Sequence, residues 1–387
     1  MQRPFALLLA SLWLVACGAT REPLNEELEP GGDDSGIDDG GLTDSSGPFF
    51  DVSLDTNVDD AALNADTACA TTKAEAIKPP VDIIMIVDQS GSMDKEIANI
   101  KANINKLSDF LTGTGLDYRV VMIGTKGTST YQLCVPPPLG VGAPTCDSNP
   151  PLLRVVNRNV QSWDALKIAL ETYDSAPGTA TAWADFLRKD AFKVFVPVTD
   201  DNSQGTGNPN ATTFDTQLLA KPGGQFGTAE KRNYAVYPIC GAPAYPAESP
   251  KCGTAVNTGA TYVELAKLTN GKWFPVCETN YGPIFVEMGK SIATRVACEF
   301  TVPPPPEGEK LDPDKVNVSY TPGTGGSTEE ILKDESKPCE SGANGWQYNA
   351  EKTKIFLCGD ACKKVQADLG AKVDVNFGCA TNTKPPA

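Results

Sequence analysis

Val81-Asp-Ile-Ile-Met-Ile-Val87 runs straight into Asp88-Gln-Ser-Gly-Ser-Met-Asp94, and how this stretch is read decides the fold. The first half is a β-branched apolar run of strand length, suited to a strand buried on both faces of a parallel sheet. After it, Ile97, Ile100, Ile104, Leu107 and Leu111 recur every three or four residues, the spacing of an amphipathic helix. Strand, short polar loop and helix form the unit that sets ligands at the carboxyl end of a parallel strand. Within the loop, Asp88, Ser90 and Ser92 offer alternate oxygen side chains, and Gly91 relaxes the turn. Carboxylate and hydroxyl oxygens are hard donors that suit Mg²⁺ or Mn²⁺ and not zinc or copper. The same residues allow a plainer role, in which Ser90 or Ser92 only caps the first free helix N–H groups.

Working outward, Phe192-Lys-Val-Phe-Val-Pro-Val-Thr199 is a second apolar strand, and it ends in Asp200-Asp201-Asn202. Tyr118–Ile123, Tyr234–Ile239 and Lys272–Val276 also read as strands, and Asp164–Tyr173, Thr261–Leu268 and Pro283–Val296 as helices. The expected fold class is α/β over residues 77–298, a doubly wound, mostly parallel, Rossmann-like sheet. Carboxyl ends of parallel strands share one edge. Four segments should therefore gather near Asp88: Thr128–Pro151, Asn202–Asn210, Gly241–Ala255 and the stretch after Val276.

An apolar strand ending in Asp88-x-Ser90-x-Ser92-Met93 before an amphipathic helix resembles the metal-ion-dependent adhesion site (MIDAS) of a von Willebrand factor type A domain. The integrin inserted domain shares that fold, and the resemblance spans Pro79 to Cys298. Where the family ends a strand in Thr-Asp-Gly, Thr199-Asp200 matches and Asp201 replaces the glycine. Where it carries Thr-x-Thr-Ala before a helix, Ser162 stands at the threonine position, keeping the hydroxyl and losing the methyl group. The resemblance implies hydroxyls from Ser90, Ser92 and Ser162 around Mg²⁺ or Mn²⁺, with Asp88 and Asp200 binding directly or through water. It further implies that an Asp or Glu of a protein partner completes the octahedron.

The 12 cysteines point to an oxidising compartment. Cys134 with Cys146 and Cys240 with Cys252 share one spacing, and each pair is expected to close a loop by a disulfide, for recognition or simply for stiffness. A helix of about 14 residues sets Cys277 and Cys298 about 20 Å apart, too far to bridge. Cys69 is paired instead with Cys298. Cys277 is then the odd thiol, unless Cys240 bridges to Cys277 and frees Cys252. Residues 299–387 read as a small β-rich module with strands at Lys315–Tyr320, Lys354–Leu357 and Lys372–Phe377. Cys339, Cys358, Cys362 and Cys379 suit two bridges there, with a zinc site as the alternative.

The 387 residues carry 33 Lys plus Arg against 49 Asp plus Glu, a net charge of −16. Fourteen of the acids lie between Glu22 and Thr72 with no Lys or Arg among them, and 49 − 14 leaves 35 acids against 33 bases elsewhere. No basic footprint for nucleic acid is visible. Histidine is absent, which excludes Ser-His-Asp and Cys-His nucleophiles and His-ligated metals. Residues 1–17 read as a signal peptide: Arg3, the apolar run Phe5–Val15, then Leu14-Val-Ala-Cys17, which resembles the bacterial lipobox. Cys17 would then be the lipidated, mature N-terminus. Residues 18–76, rich in Gly and Asp, read as a flexible tether; Asp55–Asp66 within it lacks the Gly and Glu of a calcium loop. The expected protein is an envelope lipoprotein, at the outer membrane on its periplasmic or surface side, anchored by lipid only. It is expected to bind a protein ligand in cell adhesion, to bind no nucleic acid and to catalyse nothing. A structural envelope protein with a degenerate metal site and a metal-dependent hydrolase are the alternatives.

Overall fold

In the central strand of the sheet, alternate side chains find two different cores. Val81, Ile83, Met85 and Val87 join one cluster, and Ile84 and Ile86 join another on the opposite face. That division explains a run that is apolar at every position but Asp82, because a strand covered on both sides has no solvent face to mark with alternating polar residues. The computed structural model describes residues 72–174, 182–304 and 310–384. All of these belong to one compact unit that runs from Ala62 to Ala387.

In chain order, β1 (Thr72–Glu75), β2 (Val81–Val87), α1 (Asp94–Gly113), β3 (Tyr118–Ile123), β4 (Leu153–Val156), α2 (Ala165–Thr172) and β5 (Phe192–Val198) come first. They are followed by α3 (Ala211–Leu219), β6 (Tyr234–Val236), β7 (Ile239–Cys240), α4 (Ala260–Leu268), β8 (Phe274–Pro275) and α5 (Gly282–Val296). The seven-stranded sheet runs β4-β3-β2-β5-β7-β8, with β6 also on β5, and its pairings are parallel. Helices α1 and α5 cover one face, and α2, α3 and α4 cover the other. The chain is thus a mixed α/β protein with a doubly wound parallel sheet, as its strand and helix spacing implies.

The remaining elements are β9 (Glu299–Thr301), β10 (Val316–Thr321), β11 (Glu329–Ile331), β12 (Gly345–Tyr348), β13 (Lys354–Cys358), α6 (Gly359–Ala367) and β14 (Lys372–Phe377). They form two antiparallel sheets, β1-β14-β10-β11 and β12-β13-β9, around Phe300, Trp346, Val375 and their neighbours. Strand β1 and Ala76, which packs into that core, lie in the stretch read as tether; residues 18–71, with Cys69, and the signal segment with Cys17 lie outside the described residues.

The disulfides correct several expectations. Cys134–Cys146 is present, but Cys252 bonds to Cys277, leaving Cys240 as a buried free thiol. Strand alternation is the reason. Ile239 faces the α1/α5 core, against which Cys252 and Cys277 also pack, whereas Cys240 points the other way, among Val263, Ala266 and Trp273. A Cys240–Cys252 or Cys240–Cys277 bridge would have to cross the sheet. Cys298 bonds to Cys362 rather than to Cys69, and Cys339 bonds to Cys358. The Cys298 carbonyl accepts from Leu357 N–H at 2.8 Å, so Cys298 lies beside β13, and α6 then brings Cys362 back to it. Cys379 is disulfide-bonded as well, so the C-terminal four use sulfur bridges and not zinc, but they do not pair only among themselves.

Burial pushes the Cys240 thiol up to about 12. It should resist alkylation in the native protein and react only after unfolding, while non-reducing peptide mapping recovers Cys252 with Cys277. Rapid native labelling of Cys240 would contradict the packing of β7.

Candidate functional site

The carboxyl ends of β2 and β5 are tied together at the site. Asp88 N–H donates to Val198 O at 2.9 Å, and Gln89 N–H donates to Val160 O at 2.9 Å, which draws in the turn before α2. Asp88 is fully buried. Its Oδ1 accepts from Ser90 N–H at 2.8 Å and its Oδ2 from the Thr199 hydroxyl at 2.8 Å. The Ser90 and Ser92 hydroxyls lie 3.2 Å apart. Neither of them caps α1, whose N-cap is Met93 without a side-chain cap bond. The helix-capping alternative for this loop is therefore not what the two serines do.

The Thr199 hydroxyl also approaches Ser162 O at 3.2 Å, so three separate loops meet around one side chain. Sequence reasoning used Thr199 only to align the motif. The structure makes it the joint between Asp88 and Ser162. Asp201, next along the chain, turns its carboxylate to the Asn202 N–H and the Asn257 amide. Asp200 O accepts from Val256 N–H at 2.8 Å and Asn257 N–H at 2.9 Å. The Cys252–Cys277 bridge closes that loop, and Gly241 lets it lie against β7: a Cβ there would collide with Asn257 O. On the other side, Gln89 Nε2 donates to Thr125 O and Tyr131 O, holding the start of the Pro-rich insertion beside the Asp88 loop.

Electrostatically, the pocket is anionic and under-compensated. Burial pushes Asp88 up to about 6, the Ser90 and Thr199 contacts pull it down, and Asp200 pushes it up again. Burial likewise raises Asp200, the facing Ser92 hydroxyl lowers it, and Asp201 raises it. Asp200 is 3% exposed, and its Oδ1 is buried without a hydrogen-bond partner. Removing a carboxylate oxygen from water without a partner is costly, and a cation would supply the missing compensation. The donor set, two carboxylates with Ser90, Ser92 and Ser162 on adjoining loops, fits Mg²⁺ or Mn²⁺ by type. No group of three or more His, Cys, Asp or Glu side chains able to hold a metal occurs among the described residues, so hydroxyls would have to complete such a shell.

Three exposed apolar side chains sit on the same loops. The Tyr131 hydroxyl donates to Gly91 O at 3.2 Å, Trp163 follows Ser162, and Val256 is bonded to Asp200 through its backbone. Among the described residues no helix is long and apolar enough to cross a membrane.

No protein-family model matches the chain, and no curated protein matches it. Among solved structures it is similar to the pilus adhesin SpaC from Lactobacillus rhamnosus GG in its open conformation, at 9% identity and a TM-score of 0.28. That match covers 80% of this chain and 40% of that one.

Proposed function

We propose that this chain is a lipid-anchored envelope protein whose von Willebrand factor type A-like domain binds a protein partner through a divalent cation. Asp88, Ser90, Ser92, Ser162 and Asp200 hold Mg²⁺ or Mn²⁺, and an acidic side chain of the partner completes the shell. The observation that carries this reading is the buried, unpartnered Oδ1 of Asp200 beside Asp88, at the point where three oxygen-bearing loops meet. Two carboxylates at most neutralise a divalent ion, so an incoming Asp or Glu still gains attraction from it. Tyr131, Trp163 and Val256 offer the apolar contact area that a partner would cover around that ion. Binding rather than histidine-dependent catalysis fits a chain that has no histidine. Lipidation at Cys17 and residues 18–71 as a spacer would hold the domain away from the membrane surface.

Titration calorimetry with Mg²⁺ and Mn²⁺ on the secreted, unlipidated protein tests the reading. Wild type should bind both ions, and Asp88→Ala should bind them at least about tenfold more weakly, the low end of losses at metal shells. Equal binding by the two proteins would mean that the cation is elsewhere or absent, and the adhesion reading would fall with it.

A further inference from the structure

Glu96 has no role in the site as set out above, and its setting is unusual. It lies in the first turn of α1 and is 7% exposed. Its place in the first turn is explained, because a helix N-terminus favours a carboxylate. Its Oε2 is not explained: it is buried and has no hydrogen-bond partner. Burial is the largest influence on this carboxyl, and Asp200 is the largest of the charges acting on it. Tyr281, at the N-cap of α5, senses both Glu96 and Asp200, but its hydroxyl is committed to Val276 O at 2.7 Å. Two buried carboxylates, each with one unpartnered oxygen, thus flank the Asp88–Ser92 loop, Glu96 in the turn of α1 that follows it and Asp200 at the end of the neighbouring β5.

We propose that Glu96 is an outer carboxylate of the cation centre, acting from behind Asp200 by accepting a hydrogen bond from a water on the ion. The inference rests on the metal reading above. An outer role follows from the hydroxyl-rich donor set, since no three acidic side chains converge as direct ligands among the described residues. Outer-shell carboxylates orient the inner ligands and add negative charge, and losing one typically costs 10–100-fold in metal affinity. Glu96 is a positioning residue in this scheme.

The test is calorimetry with Mn²⁺ on the full secreted chain as wild type, Glu96→Gln, Glu96→Asp and Asp88→Ala, with thermal melts of each in chelator. Glu96→Gln should bind Mn²⁺ about tenfold more weakly and melt in chelator no lower than wild type, since it removes a buried charge and keeps the shape. Glu96→Asp, which keeps the charge on a shorter arm, should fall between them. Glu96→Gln binding like wild type while Asp88→Ala is impaired would overturn the role of Glu96 and leave the metal reading standing. Unchanged binding in all four, or no binding by wild type, would overturn both.

Discussion

Arg188→Ala is expected to lower the unfolding free energy by about 3–5 kcal/mol, the cost of stranding a buried charge. The charge is Asp82, the one acid inside the apolar run of β2, with a side chain only 1% exposed. Arg188 encloses it: its backbone N–H donates to Oδ2 at 2.7 Å and its Nε to Oδ1 at 2.9 Å. The guanidinium also reaches Asp117 Oδ2 at 2.6 Å and Val81 O at 3.0 Å, so it stitches the amino ends of the strands together. Burial holds the Asp82 carboxyl above its ordinary range even with Arg188 in place, and Lys193 gives it the smallest help. Without the guanidinium, the native state would favour protonated Asp82 more strongly. A carboxyl whose native pKa is raised binds more protons folded than unfolded, so its contribution to stability falls as pH rises above the unfolded value of about 3.9. The deficit should therefore be larger at pH 7 than near pH 4, read from urea midpoints at both. Because this cluster sits at the edge opposite Asp88, cation affinity should survive the change. A deficit below about 1 kcal/mol would mean that Asp82 is not dependent on Arg188.

Phe195→Ala is expected to cost a similar amount, about 3–5 kcal/mol. Phe195 is fully buried at the middle of β5, with the rings of Trp183, Phe214 and Tyr234 edge-on at 6.2, 5.7 and 5.7 Å and Phe226 tilted at 5.9 Å. These rings come from β6, from α3 and from connecting segments, and they cannot all move inward to fill the space. Aromatic pairs of this geometry add to the area term. The cavity opens on the α2/α3/α4 face, while Val194, Val196 and Val198 still hold β5 on the other. Thr199 and Asp200 should then keep their positions, and denaturant unfolding should register a larger loss than cation calorimetry. A loss of cation binding equal to that of Asp88→Ala would show that β5 transmits the defect to its end.

Local signals made much of this legible. β2, α1, β3 and β5 are long enough for periodicity to declare them, and a two-sided sheet writes itself as apolar runs. Other elements carry too little signal. β4 is four residues, Leu-Arg-Val-Val, behind a Pro-rich insertion, and the first turn of α3 after its Asn210 cap holds Thr212 and Thr213, poor helix formers. In α6 only Val365 is buried, so no apolar stripe marks it. Tyr234–Ile239 reads as one strand but forms two, β6 and β7, because Pro238 between them has no N–H for the ladder.

The sequence by itself determined the oxygen side chains offered at Asp88, Ser90 and Ser92, the succession of β2, α1, β3 and β5 and the closure of Cys134 on Cys146. Each of these depends on neighbours within a few turns of chain. Tertiary structure alone decided that Cys252 takes Cys277 and Cys298 takes Cys362, that Thr199 joins Asp88 to Ser162, and that Glu96 and Asp200 each bury a free oxygen. The physical reason is that face and burial belong to the assembled sheet: a one-residue step along β7 sends Ile239 to one core and Cys240 to the other.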